Sequence, residues 1–457
     1  MKFRISQIAV CVVVGLLAGS FLSQPVRAQT NNVLYIFAGD PDGNSPSSGL
    51  LRTSSGDLYG TTVYGGTYGA GSVFKLSESG EETVLYSFTG GADSGYPQSN
   101  GSLIQDKSGN LFGVAWGGSL VSGVVFKLSP HGNLTVLHTF GSDGDSPLGG
   151  LTRKADGNFY GTAYFSASGA GVVFRLTPGG KYKVLYEFTG GADGGGPAGD
   201  LLLDHDGNLH GSATFGGAFG RGAIFKVTPA GKETVLHSFT GADGYIPVGL
   251  LRDASGTFYG MTQLGGEYGV GVAFRLSREG MYKVLHSFGG ADDGAYPTAS
   301  LIRDSGGNLY GTTLFGGTYG AGNVFELTPA GTETVLYNFT GGADGGYPFG
   351  GNLVRDASGT LYGTASNGGS FDGPCEGFGC GVVFSLTTCS HELFGDRCKH
   401  DREGNGASDQ RPSPISRSSM PGVFEPRSRE QGIILRPPGY RRLPRYRQLA
   451  PGTRPSN

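Results

Sequence analysis

The chain has 457 residues, 87 of them glycine, and a formal net charge of -3. That length suits two or three ordinary domains or one large repetitive one, and the periodic spacing of the glycines argues against a disordered low-complexity chain. Between Asn31 and Thr388 there are 18 Lys and Arg against 30 Asp and Glu, an acidic body that argues against a nucleic-acid partner, since phosphate binding needs a basic face.

Residues 1-28 read as a signal peptide. Lys2 and Arg4 give the positive start, Ile8 to Leu22 the apolar run, and Val26-Arg27-Ala28 a small-residue cleavage site before Gln29. The run is too short and too early for a membrane anchor, the alternative being an uncleaved one, and no later segment could span a bilayer. The mature chain is therefore expected to carry no transmembrane helix and to be exported, to the extracellular space, the cell surface or the periplasm.

From Asn31 onward one unit recurs. Its aromatic-glycine step stands at Tyr59, Phe112, Tyr160, His210, Tyr259, Tyr310 and Tyr362, each followed by Gly, at spacings of 53, 48, 50, 49, 51 and 52. A period near 50 is blade-sized. Each unit reads as four short strands, such as Asn352 to Asp356, Thr360 to Ala365, Gly381 to Leu386 and the aromatic strand Thr334 to Phe339, with no helical spacing. Large residues on both faces of strands such as TVLYSF at Thr83 to Phe88 require cover on both sides, as when sheets stack around an axis.

The chain opens on an aromatic strand, 33-37, and its seventh unit ends on a third strand, 382-386. Each orphan would complete the other. The fold class expected over 29-388 is therefore all-β, a seven-bladed β-propeller of four-stranded blades closed by pairing of these two segments, as a monomer.

The eight-residue DASGTLYG at Asp356 to Gly363, present in seven variants, reads as scaffold. The Asp bonds turn amides, Gly359 takes a positive φ, the aromatic ring packs between sheets, and Gly363 admits a neighbouring backbone. Two loop families should then share one rim. The first joins strands two and three (GGTYGAG at Gly65 and Gly316) and supplies Tyr68, Tyr268 and Tyr319. The second joins strand four to the next blade (GGADSGYP from Gly90) and supplies Asp93, Asp193, Asp243, Asp292, Asp344, Tyr96, Tyr296 and Tyr347. Carboxylates beside exposed rings suit a sugar chain, or Ca2+ held with backbone carbonyls, while plain turn formation explains the same Asp-Gly pairs. Beyond that Ca2+, no cofactor is expected.

No catalytic residue is assigned, because no G-x-S-x-G, H-E-x-x-H or Walker pattern is present. His138, His237 and His286 replace a Tyr of the aromatic strand and are expected to pack there, and His210 replaces the Tyr of a Tyr-Gly step. Trp116, Arg221 and Glu267 depart from the repeat, where a unique site would lie. Cys11 leaves with the signal, so Cys375, Cys380, Cys389 and Cys398 form two local disulfides in one of three pairings, in preference to a zinc site. Residues 389-457, rich in Arg and Pro, read as a disordered tail or as a shifted reading frame.

The run of [DN]-L-Y-G-T-T, G-G-x-Y-G-x-G-x-V-F-K-L-T-P-x-G and T-V-L-Y-S-F-T-G-G-A-D-G-x-x-P, clearest from Leu309 to Pro348, resembles the GloVer ("choice-of-anchor") tandem-repeat family from Asn31 to about Thr387. The resemblance implies an exported, propeller-like bacterial repeat protein of the cell surface and transfers no catalytic residue. The expected function is non-enzymatic binding of a polysaccharide or a surface protein through one rim. A glycan hydrolase or lyase on the same ring is the alternative, and a purely structural surface array the second. The first alternative needs carboxylates unique to one or two blades, whereas these are spread.

Overall fold

The computed structural model describes residues 29–97, 101–117, 122–290, 292–371, 375 and 377–388; the expected signal peptide 1–28, the expected tail from 389, Cys389 and Cys398 lie outside the described residues. Seven antiparallel sheets follow one another, six in chain order and the seventh shared by the two ends of the chain. In that seventh sheet Gln29–Ile36 lies beside Val382–Thr388, with Val33 opposite Phe384, and the order continues to Leu361–Ala365 and Val354–Arg355. The ring closes as expected, and Gln29–Ile36 covers the edge that Val382–Thr388 would otherwise leave bare.

Within each blade the strands run from the axis outward, and the first blade shows the pattern: Asn44–Pro46 with Leu51–Arg52 innermost, then Leu58–Tyr64, Ser72–Leu76 and Glu82–Ser87. The innermost strand is unbroken only in the fourth and fifth blades, Gly195–Leu203 and Tyr245–Arg252. It is irregular because the axis is crowded. A Cβ on Gly249 would overlap Ser300 Oγ, and one on Gly101 would overlap Asp200 Oδ1, so inner strands can approach only through small residues.

The outer strand carries large residues on both faces because it is bulged. Val73 faces Tyr86 while Phe74 faces Val84, which leaves Leu85 unpaired. The same slip sets aside Leu34, Leu137, Leu185, Leu236, Leu285 and Leu336. The bulge twists the strand and turns a Leu carbonyl toward the next blade. A Cβ on Gly231 would lie 2.5 Å from Leu185 O.

Stacking of blades rests on phenylalanine pairs. The Phe that ends each outer strand meets the third-strand Phe of the next blade edge to face, as in Phe88 with Phe126 at 5.4 Å, and Phe339 with Phe384 at 5.1 Å. Such pairs add about 0.5–1.5 kcal/mol each beyond burial. The glycine of the Tyr-Gly step makes room for that same ring. A Cβ on Gly363 would come 2.7 Å from Phe384 Cζ, so a side chain of its own blade crowds it, where a neighbouring backbone was expected.

In DASGTLYG, Asp356 Oδ1 accepts from Thr360 N at 2.9 Å and Ser358 Oγ at 2.6 Å, Gly359 has φ 95°, and Tyr362 Oη donates to Asp356 Oδ2 at 3.2 Å. Arg52 of the next blade lies over the Tyr362 ring at 5.2 Å, a cation-π contact across the blade boundary. The motif is scaffold at the rim opposite to the glycine-rich loops.

Candidate functional site

Strand alternation puts both glycine-rich loop families on one rim, and they interlock there. Gly217 N donates to Gly191 O at 2.9 Å and Gly266 N to Gly241 O at 3.0 Å. Three zones follow from the strand order, from the outer strand inward.

The outer zone is a ring of side-chain pairs. Tyr86 Oη donates to Asp93 Oδ2 at 2.8 Å, and the same carboxylate accepts from Thr89 N at 2.9 Å. Asp193 and Asp344 repeat this with Tyr186 and Tyr337, each at 2.8 Å. In the fourth blade Asp243 takes His237 Nε2 at 3.0 Å instead. Burial would raise the Asp193 carboxyl, but hydrogen bonds from Thr189 and Tyr186 outweigh it and hold it below the usual range. Asp292 is the exception among the expected residues. It is exposed, and Asp293 receives His286 Nε2 at 2.9 Å and Gly289 N at 2.6 Å. Asp42 with Tyr35 and Asp143 with His138 complete the ring. Sequence reading passed over Asp42, Asp143 and Asp293. The spacing of seven residues from Tyr35 to Asp42 and from His286 to Asp293 matches that from Tyr86 to Asp93 and would have located two of them.

These pairs are wedged by the next blade. Tyr282 stacks on His237 at 4.0 Å, and Tyr182 on His138 at 3.8 Å. Glu82, Glu233 and Glu333 begin their outer strands at the same position, and all three carboxyls are pushed up to about 7. Burial is the main cause, and Asp42, Asp193 and Asp293 respectively add like-charge repulsion.

The middle zone holds the loop tips. Tyr68, Tyr268 and Tyr319 are 63%, 58% and 63% exposed, and Phe219 occupies the equivalent place at 60%. Among the described residues, seven of the nine exposed large apolar side chains stand on these rim loops, Phe165, Phe371 and Phe378 being the others. Ile36 ends an outer strand at the same rim, and only Met281 faces away.

The inner zone borders the axis. Tyr96, Tyr296 and Tyr347 have φ of 54°, 55° and 55°, and Ser45, Ser146, Gly196 and Ile246 share that conformation at the corresponding points of the other blades. Proline follows every one. Each backbone N–H reaches the preceding blade's loop, as Tyr96 N does to Ala70 O at 2.7 Å and Tyr347 N to Ala321 O at 2.7 Å. The left-handed backbone costs about 1–2 kcal/mol for a non-glycine residue, most for the β-branched Ile246. The half-buried rings interleave, with Phe315 lying 5.8 Å from Tyr296 and 5.5 Å from Tyr347. Trp116 packs beside Leu148, Tyr164 and Ala198 in a small apolar cluster that also takes in Phe215.

The structure thus keeps the expected aspartates in the outer zone, each bonded within its own blade apart from Asp292. The expected tyrosines divide between tips and mouth. Among the described residues no three His, Cys, Asp or Glu side chains converge as a metal site. His210 bonds Asp204 Oδ2 at 3.0 Å on the opposite rim. Cys375 is joined to Cys380 inside the rim loop of the seventh blade, and both sulfurs are buried with Phe37, Phe74 and Val383 at the closing seam.

A repeat profile described as the Gloeobacter/Verrucomicrobia repeat matches residues 18–204 and 197–394. The chain belongs to this family. A search of curated proteins finds no match. Among solved structures, this Gloeobacter/Verrucomicrobia repeat protein is similar to the extracellular domain of a protein assigned as a hybrid two-component system in B. thetaiotaomicron, with 12% identity and a TM-score of 0.49, over 79% of this chain and 42% of that one. A second such extracellular domain from B. thetaiotaomicron gives 14% identity and a TM-score of 0.45, over 78% and 41%. A protein assigned as a 6-phosphogluconolactonase in Bacteroides uniformis gives 19% and 0.45, over 68% and 89%. The chain spans about two fifths of the length of the two extracellular domains. Among the described residues no helix is long and apolar enough to cross a membrane.

Proposed function

We propose that the chain is an exported surface propeller, led by the signal segment 1-28 and followed by a tail from 389, which binds a polysaccharide of its surroundings through the loop rim and does no chemistry on it. The observation that carries this reading is the one-sided distribution of exposed large apolar side chains, with Tyr68, Phe219, Tyr268 and Tyr319 on one rim and, among the described residues, Met281 alone on the other. Clustered exposed aromatic surface marks interaction sites, and a ring face offers a sugar its apolar C–H face while neighbouring carboxylates take hydroxyls. Spreading of equivalent groups over the blades suits a repeating polymer.

A glycan array probed with the full mature chain, with and without calcium, tests the reading. Retention of at least one polysaccharide class, weakened in a Tyr68→Ala, Tyr268→Ala, Tyr319→Ala variant of unchanged melting temperature, is the expected result. Silence across the array overturns it.

A further inference from the structure

The two faces of the ring differ in charge as well as in aromatic exposure. Of the 18 Lys and Arg between Asn31 and Thr388, only Arg221 stands on the loop rim; the others lie along the strands or at the opposite turns. Arg221 is itself occupied, its guanidinium lying over the Tyr245 ring at 4.8 Å. The loop rim carries eleven carboxylates among the described residues. Two of the histidines paired with them, His138 and His237, are held below their usual pKa mainly by burial, against the pull of Asp143 and Asp243, so they do not offset this charge at neutral pH. On the opposite rim, by contrast, some cations stand beside carboxylates: Lys75 pairs with Asp57 at 3.0 Å, and Arg52 reaches Asp356 at 4.0 Å. The exposed rings therefore stand among eleven carboxylates and a single cation.

We infer that the polymer docked on the aromatic tips is a chain of amine-bearing sugars, positively charged, and not an acidic or fully N-acylated glycan. This deepens the polysaccharide reading and rests on it. The tips supply flat faces for sugar rings and, through their quadrupoles, for ammonium groups. The surrounding carboxylates add long-range attraction for a polycation and repel uronates or sulfates. Tyr68, Phe219, Tyr268 and Tyr319 recur at equivalent points of different blades, so one polymer can meet several tips, and weak contacts combine.

Calorimetric titration of the full mature chain with a glucosamine hexamer, an N-acetylglucosamine hexamer, a galacturonate hexamer and polylysine, at mildly acidic pH and at two salt concentrations, tests this. The glucosamine hexamer should bind at least about tenfold more tightly than either other hexamer, and more weakly at high salt. The triple Tyr68→Ala, Tyr268→Ala, Tyr319→Ala variant should lose at least about tenfold in that binding with its melting temperature unchanged. Equal or tighter binding of the acetylated or acidic hexamer sinks the inference while sparing the polysaccharide reading. Stronger binding of polylysine, unaffected by the triple variant, also sinks it, because charge alone would then account for docking. Failure of every hexamer, together with a silent glycan array, removes the parent reading.

Discussion

The ring of Tyr282 lies 5° from parallel to that of His237 and donates its hydroxyl to the carbonyl of Asp243 at 2.5 Å. One side chain of the fifth blade thereby buttresses both members of a rim pair belonging to the fourth. Replacing Tyr282 by Phe keeps the stack and strands a partly buried carbonyl, which costs about 1–3 kcal/mol. Chemical denaturation should show the loss, and amide exchange at residues 240–246 should quicken in the same variant.

Glu82, Glu233 and Glu333, with carboxyls pushed up to about 7 from 4.5, make stability depend on pH. A raised carboxyl pKa means that the folded chain holds protons which the unfolded chain has released. The contribution is thus complete below the unfolded value and lost as pH rises through the folded one. His138, His210 and His237, all lowered mainly by burial, act in the opposite direction below their unfolded value. The difference between the natural chain and a Glu82→Gln, Glu233→Gln, Glu333→Gln variant isolates the glutamates. Melting curves should show that difference shifting against the natural chain from about pH 4.5 to 7 and levelling off above.

Two glycines of one loop should respond unequally to alanine. Gly222 has φ 95°, and a Cβ there would lie 2.5 Å from Pro247 Cδ and 2.7 Å from Ala213 O. Gly220 has φ 69° with nothing within 4 Å of the added atom. Gly220→Ala should cost only the left-handed penalty, about 1 kcal/mol. Gly222→Ala adds overlap with the next blade and should cost several times more. Thermal melts of the two variants decide the matter, and equal losses would refute the packing account.

The Cys375 to Cys380 bridge sits where Ser45 N of the first blade meets Cys380 O of the seventh, at 2.9 Å. Closing so short a loop restricts the unfolded chain by about 2 kcal/mol in the entropic picture. A Cys375→Ser, Cys380→Ser variant should melt earlier, and its excess amide exchange should appear first in Gln29–Ile36, the strand that closes the ring.

Much of this architecture is written in the repeat itself. Tyr-Gly steps, Asp-x-x-Gly turns and unmatched terminal strands specify the number of blades, their strand order and the closing pair, because each is a local rule repeated. Relations between blades are less legible. That Leu85 is bulged, or that the Tyr-Gly glycine answers to a Phe ring, depends on two strands meeting across a register slip that periodicity does not show. The choice of Asp293 over Asp292 depends on which carboxylate the loop folds back toward His286. Left-handed Tyr96, Tyr296 and Tyr347 had no signal beyond the proline that follows them, since only the preceding blade's carbonyl explains the conformation.

That inner circle of seven residues separates what holds the backbone from what the side chain contributes. The amide hydrogen and the succeeding proline fix the chain's course, and neither depends on the side chain; Ser45, Tyr96, Gly196 and Ile246 all occupy the same conformation. Such a mouth resembles a set of interchangeable keys on a common shaft. Substitution there would change the lining of the mouth one blade at a time and leave the wheel itself untouched.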